Sequence, residues 1–105
     1  MTARYRFSSA AESDLAGILR CIADRDGVAR ALGVHTKFVE AFESLAEMPS
    51  MGSLRRSLTG DRTRWHVVFR WIVLYDSESD PIIVLRVILG ARDLDRLVRP
   101  DGIPE

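Results

Sequence analysis

The sequence predicts an α+β domain: an amino-terminal strand, an antiparallel helical hairpin, antiparallel strands forming one small sheet, and a short carboxy-terminal helix. Three observations carry that expectation. Arg4-Tyr5-Arg6-Phe7 alternates polar and aromatic residues, the period-two pattern of a half-buried strand. From Ser9 to Glu47 apolar residues recur at helical spacing, interrupted at Asp26-Gly27. From Arg64 onward Trp, Val, Phe and Ile dominate, the residue types that fit a pleated surface.

Each element has its own local signals. Ser9-Ala10-Ala11-Glu12 has the spacing of a capping box, with Ser9 as cap and Glu12 reaching back. Behind it, Ala11, Leu15, Ile18, Leu19 and Ile22 share one helical face, and Gly27 suits the left-handed stop. A second helix is predicted from about Val28 to Glu47, its apolar stripe drawn from Leu32, Phe38, Val39, Phe42, Leu45 and Ala46. Gly33 lies inside it at a cost of up to about 1 kcal/mol relative to alanine, and marks a kink or a close helix–helix approach. Pro49 blocks continuation. Ser50 to Arg62 reads as a polar loop, and Asp76 to Pro81 as a hairpin loop.

Arg64–Tyr75 is either one long strand or two with a tight turn, since no Gly, Asn or Pro marks a turn there. Ile82 to Leu89 is continuously apolar but for Arg86, as expected of a central strand buried on both faces. Asp93 to Val98 has room for one or two helical turns. Residues 1–98 are expected to form the single domain, with 99–105 a frayed tail.

At 105 residues the chain is long enough for one core, and 47% of it is hydrophobic, which excludes intrinsic disorder. The formal net charge is zero, unlike a domain built to sit on naked phosphate backbone. Charge is nevertheless uneven. Between Met51 and Tyr75 stand five arginines (Arg55, Arg56, Arg62, Arg64 and Arg70) against one acid, Asp61. Fourteen of the fifteen basic residues are arginine, which favours planar recognition of carboxylate or phosphate over point-charge contacts. Cys21 is the only cysteine, so no intrachain disulfide and no cysteine-based zinc site is available. His35 and His66 lack metal-ligand spacing, so no metal and no cofactor is expected. No run is apolar enough to span a membrane and the start has no hydrophobic signal core, which makes a cytoplasmic protein the expectation.

Arg86-Val87-Ile88-Leu89-Gly90-Ala91-Arg92-Asp93-Leu94 reads as a short buried strand, a glycine turn and an Arg-Asp pair opening a last helix. This stretch resembles the carboxy-terminal signature of the ParE branch of the RelE/ParE toxin superfamily. Ser8-Ser9-Ala10-Ala11-Glu12-Ser13-Asp14-Leu15 is similar to the family's opening helix, Pro49-Ser50-Met51-Gly52 to its Pro-x-x-Gly, and Arg64 and Tyr75 to its arginine and strand tyrosine. Two positions depart: family members often carry His where this chain has Leu89, and a glycine turn where it has Phe69.

The resemblance implies a toxin of a type II toxin–antitoxin system, neutralised by a cognate antitoxin protein and acting by binding DNA gyrase, with no membrane partner and no sequence-specific nucleic-acid binding. Candidate antitoxin- or target-binding residues are Arg55, Arg56, Arg62, Arg64, Arg70, Arg86 and Arg92. An alternative is ribosome-dependent mRNA cleavage of the RelE type, which needs an acid/base and cations for a charged phosphorane-like transition state. Arg64, His66 and Arg70 would supply them if they shared a face, although no tyrosine, histidine or lysine of the kind such nucleases use follows Gly90. A third reading is an inactive module that binds antitoxin only.

Overall fold

The structure, a computed structural model, describes residues 4–54 and 62–90. The order is β1 (Tyr5–Phe7), α1 (Ser9–Asp26), α2 (Val28–Glu47), a 3-10 turn at Pro49–Met51, β2 (Ser53–Leu54), β3 (Thr63–Val68), β4 (Trp71–Asp76) and β5 (Ile82–Leu89). The anticipated carboxy-terminal helix and the tail 99–105 lie outside the described residues.

Both helices end where their residues dictate. The cap of α1 is Ser8, one residue before the expected Ser9: its hydroxyl accepts from the Ala11 amide at 3.0 Å and donates to the Leu85 carbonyl at 2.8 Å. That second bond explains the shift, because it also ties the helix start to β5. Gly27 separates α1 from α2 at φ 98°, a backbone setting that L side chains rarely adopt. In α2 the buried stripe is Ala31, Val34, Phe38, Phe42 and Leu45. Leu32, expected inside, is exposed, and Val34 takes its place.

The five strands lie in the order β1-β5-β4-β3-β2. β1 runs parallel to β5, so the sheet is mixed and not wholly antiparallel as predicted. The hairpin of α1 and α2 carries the chain from β1 at one edge of the sheet to β2 at the other, and the antiparallel meander β2-β3-β4-β5 then returns to lay β5 beside β1. The polar stretch after α2 also supplies one short edge strand, β2. Arg64–Tyr75 resolves into two strands. Val68 pairs with Trp71 across a two-residue turn, and Phe69 takes φ 57° where glycine or asparagine normally serves.

Both helices cover one face of the sheet. Phe38, Phe42, Leu45, Val68, Val73, Tyr75, Val84 and Val87 form the main core there. Phe42 meets Phe7 edge-on at 5.2 Å, and Phe38 meets Trp71 at 5.5 Å. The opposite face carries a second cluster, Ile72, Leu74 and Ile88, with Trp65 packed against it. Between β4 and β5 the register shifts: Tyr75 faces Val84 but Leu74 faces Arg86, so Leu85 is an extra, bulged residue. The bulge brings Val87 onto the helix face with Val84, two faces being populated by a strand that would otherwise alternate strictly.

Candidate functional site

Among the described residues, the arginines singled out by sequence do not gather in one place. Arg62 pairs with Asp76 across the β3–β4 ladder at 3.0 Å. Arg64 donates to the Gly52 carbonyl at 2.9 Å. Arg86 grips Asp14 of α1 through two bonds, at 2.7 and 3.0 Å, and Asp14 also accepts from the Val87 amide at 3.0 Å. That carboxylate thereby satisfies a donor on β5 beyond the reach of β1, and its hydrogen bond holds the Arg86 guanidinium above its usual pKa. Arg70 stands at the β3–β4 turn, roughly 20 Å along the strand from Arg64 at strand rise. Arg55, Arg56 and Arg92 lie outside the described residues.

Around Arg64 a latch forms. The Tyr75 hydroxyl donates to the Pro49 carbonyl at 2.7 Å and accepts from the Gly52 amide at 2.9 Å. Burial raises the Tyr75 pKa, with the Gly52 amide and Arg64 opposing, so the phenol stays a donor at neutral pH. A Cβ at Gly52 would stand 2.6 Å from that hydroxyl, which is why only glycine fits. The latch fixes the 3-10 turn and β2 to the sheet. His66 shares the alternation of Arg64 on β3, and burial lowers its pKa, leaving the ring neutral at pH 7. Burial also opposes ionisation of Asp76, but Arg62, the Glu78 amide and the Ser79 hydroxyl outweigh it and hold the carboxyl below its ordinary value.

The other end of the sheet carries a concavity. A groove of about 870 Å3 opens between the last turns of α1, the first half of α2 and the β3–β4 turn. Ile18, Ile22, Val34 and Trp71 give it an apolar floor, and Phe69 and Leu89 edge it. Phe69 is 63% exposed and Leu89 46%. The rim is rich in cations: Arg25, Arg30, Lys37 and Arg70 line it with one acid, Asp26, and Lys37 pairs with Glu40 on the same helix at 3.8 Å. Of these cations, sequence reasoning selected Arg70 alone. Arg25, Arg30 and Lys37 belong to two helices and meet only through the hairpin, which turns the end of α1 back beside the start of α2. Their signal was the helical period itself, since Arg30, Gly33 and Lys37 share one face of α2. Gly17 and Gly33 also line the groove, and a Cβ at either would meet nothing within 4 Å. Close helix–helix packing is therefore not the reason for Gly33. Among the described residues no group of three His, Cys, Asp or Glu could hold a metal ion, and no helix is long and apolar enough to cross a membrane.

A helical hairpin on one face of a five-stranded mixed sheet, with an apolar groove lined by cations at one end, defines a small α+β domain. The family described as ParE toxin of type II toxin-antitoxin system, parDE, matches residues 5–94, and the chain belongs to that family. Among solved structures it is similar to the chromosomal ParDE TA system from P. aeruginosa, with TM-score 0.69 and 19% identity over 82% of this chain and 94% of that one. No curated protein matches the chain.

Proposed function

We propose that this ParE-family toxin is held silent by a cognate antitoxin whose acidic amphipathic segment seats in the groove, and that the freed toxin inhibits DNA gyrase by binding. The observation that carries the antitoxin reading is Phe69. It holds a left-handed backbone, costly for a residue with a Cβ by about 1–2 kcal/mol, and its ring recovers little of that by burial within the chain. A partner helix laid on Ile18, Ile22 and Trp71 would cover the ring, and its acids would meet Arg25, Arg30, Lys37 and Arg70. Beyond Trp65 no described strand pairs with the outer edge of β3, which leaves room for a following segment to add as a strand.

The nuclease alternative finds less support. Arg64 is engaged with a backbone carbonyl, and Arg70 stands in the turn beyond Val68 and not on the strand face that carries Arg64 and His66.

Two measurements test the reading. Induction of the toxin alone should arrest growth, and co-expression of the neighbouring antitoxin should restore it. Purified toxin should suppress gyrase supercoiling; undiminished supercoiling at saturating toxin rules out the gyrase target, while ribosome-dependent mRNA cleavage would replace it with the nuclease reading.

A further inference from the structure

The charges of the groove are ordered along α2, and that order constrains what can lie in it. Arg30 and Lys37 both line the groove, close to two helical turns apart, so they stand on one side of α2 about 10.5 Å from each other along its axis. An extended segment repeats on one face at about 7 and 14 Å and matches that separation poorly. A helix laid alongside matches it with two acids seven residues apart. Gly33 lies between the two cations, and Gly17 lines the groove from α1; a Cβ at either would meet nothing within 4 Å. The occupant's backbone therefore has room to approach both helices.

The two ends of the groove differ in charge. At the hairpin end Arg25 and Arg30 stand with Asp26, while farther along α2 Lys37 shares its charge with Glu40. The first turn of α2 holds no acid, and its cap Gly27 makes no side-chain hydrogen bond. The carboxy-terminus of α1 ends beside it, so the two helix dipoles offset and the side chains decide. The hairpin end is the more positive, and a helix carries its negative end at its carboxy-terminus.

We propose that the groove selects a helix running antiparallel to α2 with two acids seven residues apart, the one nearer its carboxy-terminus meeting Arg30 and the other meeting Lys37. The Lys37–Glu40 contact is a solvent-exposed pair between neighbouring turns, and it yields to a better-placed carboxylate. Apolar residues on the same face of the occupant rest on Ile18, Ile22 and Trp71. This inference rests on the antitoxin reading of the groove and adds to it the occupant's conformation, direction and charge spacing.

Charge reversal in the complex of the full-length toxin with the antitoxin encoded beside it provides the test. Arg30→Glu and Lys37→Glu, both at exposed positions, should each weaken binding about ten-fold or more in low-salt calorimetry, with helix content unchanged. Arg20→Glu, an equal change of charge at an exposed position outside the groove, should leave the affinity as it is. Replacing the antitoxin's acids one at a time by lysine should then yield, for each weakened variant, one position that restores binding. The two positions should lie seven residues apart, with the partner of Arg30 nearer the antitoxin's carboxy-terminus. Any other spacing, the reverse order, or no restoring pair while Cys21 is protected from alkylation would overturn the proposal and leave the groove as the antitoxin's seat. If Cys21 alkylates in the complex at its free rate, the seat and this inference fall together.

Discussion

Phe69 separates what the chain needs in order to fold from what it needs in order to bind. Its φ of 57° is the setting for which hairpin turns use glycine, and its ring is left in solvent beside the groove. Phe69→Gly should raise thermal stability, by about 1 kcal/mol, because it removes the left-handed penalty from a side chain that buries little. The same change should weaken antitoxin binding, measured by calorimetry; a variant that is more stable and binds equally well would exclude Phe69 as an anchor. Tyr75 behaves in the opposite way. It is fully buried, and Tyr75→Phe leaves the Gly52 amide and the Pro49 carbonyl without their partner, which should cost about 1–3 kcal/mol in urea unfolding. Asp76 makes stability pH-dependent. Its folded pKa is depressed, so its contribution is present above the ordinary carboxylate value and is lost as pH falls through the folded one. Thermal unfolding of wild type and Asp76→Asn should therefore differ at pH 7, with the difference shrinking only once pH falls below the ordinary carboxylate value of about 4.

At the scale of elements, α2 and β5 were legible because their patterns are local. Val28–Glu47 and Ile82–Leu89 have the bounds that periodicity, Gly27 and Pro49 imply. The cap on α1 was misplaced by one residue because Ser8 and Ser9 are equivalent in sequence; the Leu85 carbonyl, far along the chain, selects Ser8. The parallel pairing of β1 has no local signal at all, since three residues of alternation fit either direction. The turn at Phe69 was hidden for a different reason: the residue there is one that turns avoid. Gly33 offers a test of an element against its use. Its Cβ position is open, so Gly33→Ala should stabilise α2 by about 0.5–1 kcal/mol in thermal unfolding. The added methyl projects at the groove, and a loss of antitoxin affinity in the same variant would show that glycine is kept for the partner's approach.

Over the whole molecule the formal net charge of zero conceals a separation. Arg62 and Arg86 are neutralised within the fold by Asp76 and Asp14, while Arg25, Arg30, Lys37 and Arg70 line the groove with Asp26, and of these four Lys37 has an exposed ion pair, with Glu40. Counting arginines along the sequence could not separate these sets, because the acids that neutralise the first set, Asp14 and Asp76, are brought in by tertiary contact and by strand register. The fold was readable at the level of its class and most of its elements; the groove was not, because it exists only where two helix ends and a strand turn converge. Cys21, the sole cysteine, is exposed and lines that groove, and it offers the most direct measurement. The rate of Cys21 alkylation in the free toxin should fall many-fold in the complex with its antitoxin. An unchanged rate in a fully formed complex would mean that the antitoxin sits elsewhere and that the groove is not its seat.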